Sequence, residues 1–251
     1  MQTIFDIGMF DGSDTEYYLE SRYRVVAVEA NPDLVQSANQ KFRVQISSGQ
    51  LILCNAAISP NGKATELVLS GTDLGSSSVF SELVAGMRPI GSIKIAGVTL
   101  PELFERYGVP YYLKIDIEGS DRFCVLSLKP ETSPRFLSFE VGDDAEELLE
   151  HTRLIGFKRF KIINQVSFRE LANQDCLYDR LTRRAARCLG YAEAGRIRRS
   201  GRFFRIGHSS GPLPWHTDGT WYSAEEICKR LRVAQASNAL RDWYDIHATL
   251  D

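Results

Sequence analysis

The chain has 251 residues, 43% hydrophobic and 25% charged, which is enough apolar side chain to bury a core in one large domain or two small ones; its net charge is only −2. No run of eighteen or more apolar residues occurs, and no charged-then-apolar leader precedes Ile4, so the expectation is a cytoplasmic chain with no membrane span and no signal peptide. The cysteines Cys54, Cys124, Cys176, Cys188 and Cys228 are odd in number and include no CxxC pair, against both a disulfide framework and a zinc knuckle.

Ile4 to Ile7 reads as a strand that enters a glycine turn, Gly8 to Gly12, and Ser13-Asp14-Thr15 then opens a helical stretch, TEYYLESRY. Val25 to Glu29 (VVAVE) is an apolar run suited to a buried parallel strand, and Asn31-Pro32-Asp33 offers a cap and a first-turn proline for the next helix. Leu51 to Cys54 is a third strand, Asn61-Gly62 a turn, and Glu66 to Leu69 its hairpin return. A serine-rich loop, Gly75 to Ser78, leads to SIKIAG, and a helix is predicted from Leu100 to Tyr107, with Pro101 in its first turn and Gly108 past its end.

Tyr111 to Ile117 (YYLKIDI) is a fourth principal strand, followed by a helix through Leu128 that stops before Pro130. Phe136 to Val141 is a fifth, with an acidic helix from Asp143 to His151, and Phe157 to Ile163 and Phe203 to Ile206 read as late strands. Strands alternating with helices imply a parallel sheet with right-handed crossovers and both faces covered. Neither an internal repeat nor a Pro-, Gly- or Ser-rich linker divides the chain. A single domain over residues 1–251 is expected, with an arginine-rich excursion at about 166–202 and a C-terminal loop and helix at about 207–251.

In such sheets ligands bind beyond the carboxyl ends of the strands. Gly8 and Gly12 lie there, but their GxxxG spacing lacks the GxGxxG pattern that holds a pyrophosphate, which sets a dinucleotide oxidoreductase aside. Asp6 and Asp14 would repel phosphate and accept hydrogen bonds from an ammonium group. Glu29, about twenty residues beyond Gly8 at the end of the second strand, is placed to accept both hydroxyls of a ribose. Asn55 closes the third strand and has two readings, an adenine contact or a turn residue bonding to backbone. Ribose plus an amino-acid tail points to S-adenosylmethionine.

FDIGMFDGSDTEYYL, VVAVEANP, LCNAAIS and above all YYLKIDIEGSD resemble, in order and spacing, the successive motifs of the FkbM-type S-adenosylmethionine-dependent methyltransferases, over residues 3 to about 142. The resemblance implies an α/β, Rossmann-like class I methyltransferase fold: a seven-stranded, mostly parallel sheet with helices on both faces and the last strand antiparallel. It also implies methyl transfer to a hydroxyl oxygen, Asp6, Gly8, Gly12 and Glu29 as donor contacts, and Asp116 and Glu118 facing the cleft. Loops of that family commonly read Gly-Ala-Asn-x-Gly, where this chain has Gly8-Met9-Phe10-Asp11-Gly12.

Lys114, Asp116 and Glu118 stand at i, i+2 and i+4, so a regular strand puts them on one face. A carboxylate there can take the acceptor's proton or hold the donor's amino group, with Lys114 orienting it. Glu140 and Asp116 together offer two carboxylates for a divalent cation, a minor option beside a metal-free site. His208 and His216 fall in GHSSGPLPWHTDGTWYS, read either as a cover supplying a base, His208, or as a loop pinned by Trp215 and Trp221; His151 and His247 are expected at the surface.

Nine arginines from Arg180 to Arg205 face only Asp179 and Glu193, which suggests an anionic, hydroxylated acceptor; the same segment could serve as a solvated face or a dimer contact. A nucleic-acid methyltransferase or binder is a rival, weakened because aromatic residues are not seen interleaved along the segment. A non-catalytic binding module on the same fold is another, and a homo-oligomer stays open. The leading expectation is an O-methyltransferase acting on a sugar or secondary metabolite.

Overall fold

The structure is a computed structural model that describes residues 1–70, 78, 89–117, 119–171, 181, 184–185, 188, 195–236 and 243–251. Most of the serine-rich loop, Glu118, Cys176 and the arginines Arg180, Arg183 and Arg187 lie outside the described residues. The chain forms two compact units, Met1–Arg135 and Phe136–Asp251.

In the first unit, β1 (Thr3–Ile7) leads to α1 (Ser13–Glu20), then β2 (Arg24–Glu29), α2 (Pro32–Lys41), α3 (Arg43–Ser47) and β3 (Leu51–Asn55). The apolar runs read from the sequence are these strands: Ile4, Phe5, Ile7, Val25, Val26 and Ala27 are wholly inaccessible, as expected of strands covered on both faces. Asn31 caps α2 by accepting from the Asp33 amide at 3.0 Å, with Pro32 in the first turn.

Four short strands follow: β4 (Ala57–Ile58), β5 (Thr65–Ser70), β6 (Pro89–Ile95) and β7 (Gly97–Val98). The 66–69 segment is a strand but not the hairpin return expected of it. β5 pairs antiparallel with β6, not with β3, because the chain beyond β3 is committed through β4 to a parallel pairing with β7. The helix α4 (Leu100–Tyr107) keeps its predicted bounds, started by a reciprocal capping box between Thr99 and Glu102.

The strand expected over 111–117 is shorter, β8 (Tyr112–Ile115), so Asp116 lies just past its end. The helix after it is also shorter, α5 (Asp121–Val125), ahead of a 3₁₀ turn at Pro130–Thr132. The β1 strand is flanked by β2 and β8, and β2 by β3, all parallel, so the carboxyl ends of four strands lie on one edge of this unit.

The second unit holds β9 (Phe136–Glu140), α6 (Ala145–Leu154), β10 (Arg159–Asn164), β11 (Arg196–Arg199), β12 (Arg202–Arg205), α7 (Ala224–Ala236) and β13 (Tyr244–Thr249). The sheet order is β10-β13-β9-β8-β1-β2-β3, with β13 antiparallel to both β9 and β10, which is the Rossmann-like arrangement with a reversed last strand. Two expectations change. The 203–206 strand is not in this sheet: β12 pairs with β11 in a separate ribbon. The seventh strand is instead β13, inside the region expected as loop and helix. His247, expected at the surface, is 1% exposed within β13, opposite Lys161 and Ser138, because both faces of this strand are covered and all six of its residues are buried.

Candidate functional site

The strand-end loop of the first unit is built by three residues with positive φ: Gly8 (83°), Phe10 (53°) and Gly12 (75°). Gly8 has no alternative, since a Cβ there would sit 1.9 Å from the Asp116 carbonyl oxygen; at Gly12 it would meet the Phe42 ring at 2.7 Å. The amides of Gly8 and Met9 both donate to the Val28 carbonyl, at 2.9 and 3.1 Å, and the Asp116 amide donates to Ile7 at 2.9 Å. The loop is thus stitched to β2 on one side and to the end of β8 on the other.

Phe10 carries a side chain in a left-handed conformation that favours Gly, Asn or Asp. Its amide donates to Glu29 Oε2 at 2.9 Å, while the Asn31 amide donates to Oε1 at 2.7 Å. Both oxygens of Glu29 are therefore held by backbone N–H groups. Burial pushes the Glu29 carboxyl above its ordinary range, opposed by those two amide bonds and by the charge of Lys114. The amide of Asn55 donates to the carbonyls of Glu29 and Ala30, both at 3.0 Å, fastening the end of β3 to that of β2.

Beneath the loop, Lys114 Nζ lies 3.3 Å from Asp6 Oδ1, 3.6 Å from Asp14 Oδ2 and 3.3 Å from Asp116 Oδ2, and donates to the Gly8 carbonyl at 3.1 Å. Thr15 Oγ1 donates to the other oxygen of Asp6 at 2.6 Å. Lys114, Asp6 and Asp14 are almost fully buried, whereas the Asp116 side chain is 36% exposed. Three carboxylates around one ammonium leave a formal excess of two negative charges, and only Asp116 of the cluster opens substantially to solvent.

Behind the cluster the buried Tyr18 hydroxyl is pushed well above its ordinary pKa by burial, then by Tyr112, Asp14 and Asp6. Sequence reasoning did not single out Thr15, Tyr18 or Tyr112 for this site; the helical spacing of Asp14, Thr15 and Tyr18 was the available signal. Among the described residues no group of three or more His, Cys, Asp or Glu side chains is arranged to hold a metal ion.

The structure thus gathers Asp6, Gly8, Gly12, Asp14, Glu29, Asn55, Lys114 and Asp116 at one edge of the first unit, while Glu118 lies outside the described residues. His208 belongs to the second unit. Its Nε2 lies 3.3 Å from Arg205 Nη2, and a guanidinium only donates, so that nitrogen is the acceptor. The loop around it is packed within the second unit: Trp215 and Trp221 lie 4.6 and 6.5 Å from the Phe136 ring, and Ser209 to Pro214 are buried.

A family model described as the methyltransferase FkbM domain matches residues 6–164. No curated protein matches the chain in sequence. Among solved structures, a precorrin-6y C5,15-methyltransferase from Geobacter metallireducens GS-15 is 8% identical, with a TM-score of 0.43 over 100% of this chain and 80% of that one. A SAM-dependent methyltransferase from Thiobacillus denitrificans, in complex with S-adenosyl-L-homocysteine, is 9% identical, with a TM-score of 0.33 over 99% and 83%. Phosphoethanolamine N-methyltransferase 2 of Haemonchus contortus, in complex with S-adenosyl-L-methionine, is 9% identical, with a TM-score of 0.33 over 99% of this chain and 48% of that one.

Proposed function

This chain belongs to the FkbM methyltransferase family, and on that footing we propose that it transfers a methyl group from S-adenosylmethionine to a hydroxyl of a sugar or secondary-metabolite acceptor. The observation that carries the proposal is the concentration of carboxylates at the ends of β1, β2 and β8, with Glu29 fixed by two amides and Asp116 open to solvent. These groups fit a zwitterionic nucleoside donor and would repel a phosphorylated one.

When bound, the donor supplies a methyl group on a sulfonium, ready for in-line attack. Glu29, its orientation set by Phe10 and Asn31, accepts the two ribose hydroxyls on its remaining lone pairs. The Oδ1 of Asn55, whose NH₂ is engaged with backbone, accepts from the adenine amino group. Asp6 and Asp14 set a negative potential that favours the ammonium and sulfonium charges, and Lys114 keeps those buried carboxylates from repelling one another. Placement of the two reactants is the largest contribution to such a substitution.

Asp116 takes the acceptor's proton: it is the accessible carboxylate, and Lys114 at 3.3 Å holds it in place. Replacing Asp116 with Asn tests this. Turnover of hydroxylated acceptors should fall by about 10²–10⁴-fold, with S-adenosylhomocysteine affinity and melting temperature nearly unchanged. A fully active variant refutes the role, and a loss confined to donor affinity reassigns Asp116 to holding the donor's amino group.

A further inference from the structure

The ribbon of β11 and β12 has no part in the chemistry above. Its register pairs Arg196 with Arg205, Ile197 with Phe204, Arg198 with Phe203 and Arg199 with Arg202. Strand alternation puts Ile197 and Phe204 on one face, and both are buried, Phe204 with its ring 5.6 Å from that of Phe168. Arg196, Arg198, Phe203 and Arg205 form the other face. All four are exposed, Phe203 to 65%.

Among the described residues Arg196 and Arg198 make no ion pair, and Arg205 is set beside His208. An aromatic ring does stand among these arginines: Phe203 faces outward directly across from Arg198. From Asp179 to Arg205 the chain has nine arginines, two acids and no lysine. Guanidinium groups grip phosphate oxygens in pairs, which an ammonium cannot do.

We propose that this outward face binds single-stranded nucleic acid, with the arginine forks on successive phosphates and Phe203 stacked on a base. Backbone phosphate contacts and stacking on a single ring carry no base code, so binding is expected to be tolerant of sequence. An anionic membrane fits less well. A membrane-seated surface needs a broad apolar face, and the ribbon turns Ile197 and Phe204 into the protein, leaving one ring among three guanidinium groups. This inference does not rest on the methyl-donor site.

The test uses the full chain and a fluorescein-labelled oligouridylate of about twenty nucleotides, with anisotropy followed between about 50 and 300 mM KCl. Three phosphate contacts predict a log–log salt slope near −2 for a single strand. Arg196→Gln with Arg198→Gln should weaken binding and make the slope shallower by about 1.4. Phe203→Ala should weaken it roughly tenfold at unchanged slope. Thermal melts of these exposed-residue variants, and an Arg153→Gln control outside the ribbon, should match the parent protein. Absence of oligouridylate binding at low salt, or binding that the ribbon variants leave intact, overturns the proposal. So does binding to phosphatidylserine-rich vesicles, lost in the variants, without binding to the oligonucleotide.

Discussion

Among the described residues each unit of the chain buries one lysine, and the two are treated in opposite ways. Lys114 is surrounded by three aspartates within 3.6 Å. Lys161 has a carbonyl, that of Thr217 at 2.9 Å, and the Trp221 ring at 4.2 Å, while Glu170 and Asp218 act on it only through space. Burial lowers its pKa from 10.5 to about 8, and its neighbour His247 is held neutral by burial and by Lys161's charge, with no hydrogen-bond partner on either ring nitrogen among the described residues. The first lysine gathers negative charge beside an opening; the second is held by a carbonyl and an aromatic ring in a packed sheet, with its carboxylates acting from a distance. A buried cation next to excess carboxylate marks the place where a charged ligand is expected, whereas one merely tolerated by the core does not.

The largest expected effect comes from removing the central charge of the first cluster. Lys114→Met leaves Asp6 and Asp14 buried without their cation and should destabilise the protein by about 3–5 kcal/mol in thermal or urea unfolding. Adding Asp14→Asn should recover part of that loss, and a single variant as stable as the parent would dissolve the contrast between the two lysines. Next is Gly8→Ala. The new methyl would collide with the backbone at Asp116 and should cost about 2 kcal/mol together with donor affinity, read by melting and by S-adenosylhomocysteine titration.

The second lysine gives a pH-dependent difference. The unfolded chain keeps the Lys161 proton to near 10.5, while the folded chain releases it near 8, so the parent's stability rises across that window as the buried charge is relieved. Lys161→Met removes this term. The parent should gain a few degrees of melting temperature on the variant between about pH 8 and 10, and parallel curves would contradict it. The smallest effect is at Phe10: Phe10→Asn suits the left-handed conformation and should raise the melting temperature by about 2–4 °C.

The parallel half of the sheet was legible because runs such as VVAVE are apolar without interruption and are punctuated by Gly8, Gly12, Asn31 and Pro32. The last strand was not. In YDIHAT the polar Asp245, His247 and Thr249 alternate with apolar residues, a pattern of half-exposed strands, yet all six residues are buried because both faces of β13, which lies between β9 and β10, are covered. Phe203 to Ile206 misled in the reverse sense: its apolar letters suggested the core, but local pairing with Arg196–Arg199 leaves Phe203 in solvent.

At the site, residue types and strand-end positions pointed to Asp6, Glu29 and Asp116. What spacing cannot reveal is that Glu29 is oriented by the amide of a phenylalanine in a left-handed turn, or that Thr15 fixes Asp6; both depend on backbone angles and on contacts nine to nineteen residues apart.

Whether the carboxylate-lined strand ends cradle a methyl donor is decided by calorimetric titration of the protein and of Glu29→Ala with S-adenosylhomocysteine. Micromolar binding to the parent, weakened by a factor of ten or more in Glu29→Ala, is the predicted result for a charged group that accepts two hydroxyls. No binding to the intact protein, or binding that Glu29→Ala leaves untouched, would contradict it.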